Sequence, residues 1–177
     1  MAKAKWVLDK AHSEVNFTVR HMMIARVNGT FREFNAEIEF DPEDLTTADV
    51  EFTVDVASID TRNEDRDNHL KSADFFDVEK YPELTFVATE IVKMNDQEYE
   101  VKGDLTMHGV TKPETFKVTY GGVAKDPFTG VEKSGISVSG KINRTDYGLT
   151  WNQDLETGGV LVSEDVNIDV HLELTKE

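Results

Sequence analysis

Five histidines and a charged run in mid-chain hold most of the reactive chemistry this 177-residue sequence has to offer. His12, His21, His69, His108 and His171 are scattered, and no pair of them sits at a ligand-spacing interval. Brought together in space, His21, His69 and His108 with Asp65 would present neutral imidazoles and a carboxylate, which are ordinary zinc or iron ligands. The other fate of such histidines is a hydrogen bond, and spacing alone does not separate the two. Arg62 and Arg66 offer guanidinium forks that pair with the oxygens of a phosphate or carboxylate. Asp60, Glu64, Asp65 and Asp67 surround them, which favours local salt bridges on a solvated face. The sequence contains no phosphate-cradling glycine loop, no G-x-S-x-G elbow and no H-E-x-x-H pair. With no cysteine, thiolate zinc sites, cysteine nucleophiles and disulfides are excluded.

The elements that must position these groups begin with a polar helix. Thr61-Arg-Asn-Glu64 fits a capping box and predicts a helix from about Arg62 to Lys71. Asp67 and Lys71, and likewise Asp65 and His69, stand four apart and can pair along its surface. Leu70 is its one strongly apolar residue, so the helix must take its stability from docking, with Phe75-Phe76 as the anchor. Tyr81-Pro82 ends the excursion.

Everything else alternates with period two. Trp6-Val7-Leu8 opens a strand, and Val15, Phe17 and Val19 share a face with His21 at its end. The stretch from His21 to Gly29 reads as a turn. Phe34, Ala36, Ile38 and Phe40 follow, with Phe31 out of phase and a bend or bulge expected near Arg32 and Glu33. Val50, Phe52, Val54 and Val56 lead into the helix. After it come Leu84, Phe86 and Ala88, a hairpin turn at Asn95-Asp96, then Tyr99 through Met107 and Phe116, Val118 and Tyr120. Gly121 to Gly135 reads as a polar loop. Ile136 to Ile142 and Val166 to Leu174 form the last strands, separated by an irregular stretch from Asp146 to Gly159. About eight strands joined by short turns predict an all-β antiparallel fold, either a sandwich or a closed barrel. Gly103 and Gly140, with Ala36 and Ala88, occupy inward positions and tilt the reading toward a barrel with a cavity. The same glycines could instead mark bends in the sheet.

Length predicts a single domain over residues 1–177. A net charge of −16, from 35 acidic and 19 basic side chains, disfavours nucleic acid and anionic membrane surfaces as partners. The N-terminal MAKAKWVLDKAHSEV lacks the apolar run of a signal peptide and no later segment approaches a membrane span, so the expected protein is soluble and cytoplasmic, not integral to a membrane. Glycosylation triplets at Asn16, Asn28 and Asn143 are discounted with it. Met22-Met23-Ile24 reads either as an exposed apolar patch beside a lipid entrance or as a strand end tucked into the core. Either that patch or an exposed strand would let two copies form a homodimer.

Five segments in order carry a resemblance that covers nearly the whole chain. They are Phe17-Thr-Val-Arg-His21; Val27-Asn-Gly-Thr-Phe31 with Phe34 after it; Arg66-Asp-Asn-His-Leu-Lys-Ser-Ala-Asp-Phe-Phe-Asp77 with Tyr81-Pro82; Leu105-Thr-Met-His-Gly-Val-Thr-Lys-Pro113; and Asp146-Tyr-Gly-Leu149. Through them the chain resembles the YceI-like family of bacterial lipid-binding proteins. The resemblance implies an eight-stranded antiparallel lipocalin-like barrel with one short helix inserted mid-chain. Its apolar tunnel would hold a polyisoprenoid, an isoprenoid quinone or a fatty-acid derivative. It implies no enzymatic activity, no cofactor and no established metal or catalytic residue; the histidine and carboxylate set stands as the alternative. On this reading a single apolar chain lies along Phe17, Val19, Phe34, Ala36, Phe52, Val54, Ala88, Leu105, Met107 and Ile142, and His21 meets its polar head. The acidity of the chain favours a neutral head over a pyrophosphate unless His21, Arg62, Arg66 or Arg144 compensates locally. The helix would close or gate one end.

Overall fold

Alternation along each strand is what builds the architecture. In the segment Phe34–Asp41, Phe34, Ala36, Ile38 and Phe40 are buried while Asn35, Glu37 and Glu39 are exposed, so one face of the pleat must seek a core. A computed structural model, describing residues 3–177, shows how that demand is met. In chain order the elements are β1 (Ala4–Leu8), β2 (Glu14–His21), β3 (Ala25–Phe31), β4 (Phe34–Asp41), β5 (Asp44–Asp55), β6 (Ile59–Asp60), α1 (Glu64–Lys71), β7 (Glu83–Lys93), β8 (Glu98–Met107), β9 (Val110–Lys125), β10 (Glu132–Asn143) and β11 (Asp165–Lys176). Eight of the strands form a closed antiparallel barrel in the order β1-β4-β5-β7-β8-β9-β10-β11, with β11 returning to β1. Closure leaves these strands no free edge and turns their apolar faces inward.

The wall is built differently at its two ends. β11 pairs with β1 through Leu174 and its neighbours, then with β2 through Asn167 to His171, because a single 3-10 turn at Lys10–His12 lets the first strand bend and continue. β3 folds back on β2, and its other edge meets only the two-residue β6, from which the chain passes into α1.

Two local expectations change and one is sharpened. The stretch from His21 to Gly29 is not a long turn: β3 begins at Ala25, and the turn occupies only residues 22–24. Phe31 ends β3 and Phe34 begins β4, so the bend or bulge expected near Arg32 and Glu33 is a bend between two strands. The loop assigned to Gly121 to Gly135 shrinks to residues 126–131, since β9 runs to Lys125 and β10 starts at Glu132 with an irregularity between Ser134 and Ile136. The glycines there let two backbones come together: a Cβ on Gly121 would lie 3.3 Å from the carbonyl oxygen of Gly135.

The helix also starts later than the sequence pattern predicts. Asn63, not Thr61, caps it, accepting from the Arg66 N–H at 3.0 Å. Asp67 turns back to accept from the backbone N–H and hydroxyl of Thr61 instead of pairing forward with Lys71, and His69 Nε2 lies 3.4 Å from Asp74 instead of meeting Asp65. No residue of α1 is fully buried; Leu70 and the following Phe75 and Phe76 dock it, as its polarity requires.

Inward glycines neither stand empty nor mark bends alone. The tip of the Phe17 ring lies where a Cβ of Gly29 would be; the Phe86 ring overlies Gly103 and the Phe116 ring overlies Gly140. Each glycine lets a neighbouring ring lie along the wall, which keeps the ring out of the lumen.

Candidate functional site

The lumen contains two adjoining spaces. The first, about 180 Å³, runs up the barrel and is lined almost wholly by apolar side chains, among them Phe40, Phe52, Val101, Val118 and Leu172. The second, about 440 Å³, lies at the helix end, where α1, β2, β3 and the segment after β10 meet. Phe17, Phe31, Leu84, Ile142 and Ile168 border both. A narrow apolar channel thus adjoins a wider chamber of the size that holds small molecules.

The chamber differs in chemistry: Arg20, His21, Thr61, Asp65, Arg66, His69 and Arg144 border it alongside Leu70, Phe75 and Trp151. Arg144 is the most committed of these. Asn143 caps the 3-10 turn Arg144–Tyr147, and Gly148, at φ 78°, ends it, aiming the arginine inward with 3 % of its surface exposed. Nε donates to Ser163 O at 2.9 Å, one terminal nitrogen to Leu149 O and Trp151 O at 2.6 and 3.0 Å, and the other to Val162 O at 3.2 Å. The guanidinium also lies 5.5 Å over the Phe75 ring. Burial pulls its pKa below the ordinary arginine value, with Glu164 acting the other way. Within 4 Å it meets no carboxylate among the described residues, so carbonyl dipoles are what stabilise this interior cation.

Arg66 overturns a second expectation. Its Nε donates to the Thr61 hydroxyl at 2.8 Å and a terminal nitrogen to Thr61 O at 2.6 Å, while Thr61 donates its own proton to Asp67. Asp60, Glu64, Asp65 and Asp67 form no salt bridge with it, because helical geometry and the Thr61 relay direct them elsewhere. The remaining N–H groups of the fork have no partner among the described residues, and the side chain borders the chamber. His69 packs edge-on against Trp151 at 4.7 Å and Phe75 at 5.6 Å.

The sequence-derived tunnel residues separate into two groups. Phe52, Val54 and Leu105 border the narrow channel, Val19, His21 and Met107 border the chamber, and Phe17 and Ile142 border both. Phe34, Ala36 and Ala88 belong to the core without bordering either space. Phe34 is stacked on Phe52 at 5.9 Å, and the two alanines have no side chain beyond Cβ to extend inward.

The histidine set is not assembled. His21 and His69 share the chamber, but His108 lies away from it, its Nδ1 3.0 Å from Tyr147 O and its ring against Tyr81. Tyr147, fully buried, donates to Glu114 at 2.7 Å, and burial with that carboxylate pushes its pKa up. Among the described residues, the one group with metal-ligating atoms close together is Asp9, His12 and Glu173, and Lys133 Nζ already stands 3.2 Å from Asp9 and 3.6 Å from Glu173.

Phe31, Ile59, Leu149, Trp151, Leu161 and Val162 are chamber residues that the alternation pattern does not identify. Four of them lie in the aperiodic segment after β10. Two sequence signals point there, the motif Asp146-Tyr-Gly-Leu149 and a lone tryptophan among Thr150, Asn152, Gln153 and Asp154.

A family model for the YceI-like domain matches residues 6–174. A UPF0312 protein of Staphylococcus epidermidis is 44 % identical over 171 residues, covering 97 % of each chain, and one of Staphylococcus aureus is 41 % identical over 170 residues, covering 96 % of each. Among solved structures, Burkholderia cenocepacia BcnA superposes with a TM-score of 0.80 at 28 % identity over 94 % of this chain and 98 % of its own. A polyisoprenoid binding domain from Saccharophagus degradans shares the fold with a TM-score of 0.70 at 16 % identity, over 100 % of this chain and 99 % of its own.

Proposed function

We propose that this chain, which belongs to the YceI-like family, binds one amphiphilic lipid, with the apolar chain along the barrel channel and the polar head in the chamber. The observation that carries this reading is the change of lining between two adjoining spaces, from almost wholly apolar residues to a wall that also carries Arg66, His69, His21 and Arg144. Such a gradient matches an apolar tail with a hydrogen-bond-accepting head and little else. Burying the tail contributes about 0.8 kcal/mol per methylene before ordering costs. A polyisoprenoid, an isoprenoid quinone and a fatty-acid derivative all fit the description, and the name of the Saccharophagus neighbour favours the first. The protein acts as a carrier or reservoir, with no chemical step of its own.

Native mass spectrometry of freshly purified protein, followed by solvent extraction, tests this. The expected result is a discrete added mass that extracts as an isoprenoid or acyl amphiphile. A bare protein mass that also fails to take up long-chain lipids on titration would overturn the reading.

A further inference from the structure

The turn that joins β2 to β3 projects from the chamber end, and its composition runs against its geometry. Ile24 N–H donates to His21 O at 3.2 Å across a tight turn whose two central residues, Met22 and Met23, have φ of 53° and 63°. Left-handed geometry at both central positions is the hairpin turn for which Asn-Gly is the inexpensive solution. Methionine is strained at either place. The strain does not serve the core: Met22, Met23 and Ile24 are 44, 47 and 83 % exposed.

The charges beneath the tip run the same way. Arg20 and Arg26 face each other across the hairpin, both are exposed, and neither has an ion-pair partner among the described residues of a chain with 35 acidic side chains. Like charges directly opposed weaken a strand pair. The tip is braced from the chamber side. Met22 N–H donates to Leu161 O at 2.7 Å, Ser163 Oγ accepts from the Arg20 N–H at 2.9 Å, and Met23 packs on Gly159. The bracing segment and the start of β11 also carry exposed acids, Asp154, Glu156, Glu164 and Asp165, so the basic collar stands within an acidic surround.

We propose that the β2–β3 turn docks on the surface of a zwitterionic lipid bilayer. Met22, Met23 and Ile24 would enter the headgroup boundary, and Arg20 and Arg26 would meet lipid phosphate oxygens. An apolar tip with a basic collar set among exposed acids suits a neutral bilayer, whereas the net charge of −16 opposes a strongly anionic one at long range. Docking here brings the chamber rim, to which Arg20 and His21 belong, against the membrane from which an amphiphile would be loaded.

Co-sedimentation with phosphatidylcholine vesicles tests the proposal. Wild-type protein should bind, and the double change Met22→Asn with Met23→Gly should weaken binding at least tenfold while raising the denaturant midpoint, since it relieves the turn. Arg26→Gln should weaken binding a few-fold. Phe128→Ser, in the loop between β9 and β10, removes a still more exposed apolar residue (95 %) and should change nothing. No binding by wild type, or full binding by the double variant, overturns the proposal. So would a wild-type dimer that the double variant abolishes, since a second copy would then cover the tip. Vesicle binding is read separately from the mass of extracted lipid, so this inference and the lipid-carrier reading fail independently.

Discussion

The two ends of the barrel solve opposite problems. At the end where β1 closes the ring, Trp6 stacks on Phe40 at 4.8 Å, Phe40 meets the edge of Tyr120 at 6.0 Å, and Leu174 is wholly buried. At the helix end the interior holds a guanidinium bound by four carbonyls, a tyrosine hydroxyl on a carboxylate and a histidine edge on tryptophan. Dispersion and apolar burial dominate the first end, where the rings pack closely enough that Trp6 Nε1 and the Tyr120 hydroxyl are buried without a hydrogen-bond partner among the described residues. Polar groups stay inside the second only when each is satisfied, and meeting that condition leaves room and directional donors where a ligand head can sit. The contrast assigns stability chiefly to one end and selectivity to the other.

The harshest test is Trp6→Ala, expected to lower unfolding free energy by about 3–5 kcal/mol in urea titrations while folded molecules keep their lipid. A loss below about 1 kcal/mol would show that the stacked end is not the stable one. Arg144→Met should cost about 3 kcal/mol by stranding four carbonyls, and should expose residues 149–163 to proteases before the rest of the chain opens. Uniform protease resistance would mean that the loop holds itself without the guanidinium. Gly29→Ala is expected to cost about 1–3 kcal/mol, since the new Cβ displaces the Phe17 ring from the wall. It should also lower lipid occupancy, because that ring moves into the lumen; unchanged occupancy would place the tail elsewhere. Arg66→Met sharpens the division further: stability should fall by about 1–2 kcal/mol, since buried Thr61 loses two donors, while affinity for an added amphiphile falls about tenfold, the worth of one charged hydrogen bond.

The smallest effect concerns pH at the stacked end. The Asp9 carboxylate holds the His12 pKa above its ordinary value, and His12 with Lys133 holds Asp9 well below its own. The His12 contribution is complete below the ordinary histidine pKa and disappears as pH rises through the raised one; that of Asp9 is complete above the ordinary aspartate pKa and disappears as pH falls through the lowered one. Thermal midpoints should therefore decline slightly from about pH 6 toward pH 8, and His12→Gln should flatten that decline. An equal slope in the variant would remove His12 from the account.

Particular residues show where reading the chain sufficed. Phe34, Ala36, Ile38 and Phe40 identify their strand unaided, because the pleat forces alternate residues to opposite faces. β3 is hidden because Gly29 interrupts its pattern, and what replaces the missing side chain is the ring of Phe17 on another strand. Thr61 and Asn63 are both competent caps by local chemistry; Asp67 reaching back to Thr61 leaves the cap to Asn63. The four acids around Arg66 made ion pairing the local expectation, yet none of them pairs with it.

The sequence by itself determined the all-β class, the antiparallel connections, the family and the polar helix that must borrow its stability, since each follows from periodicity or from the order of short motifs. Only the tertiary structure decided which rings lie flat on glycines, which guanidiniums lack carboxylates and where the apolar channel meets a chamber that also carries guanidinium and imidazole groups. Periodicity is set by neighbours along the chain, whereas a side chain's partner is set by which distant segment the closed barrel brings within about 3 Å of it.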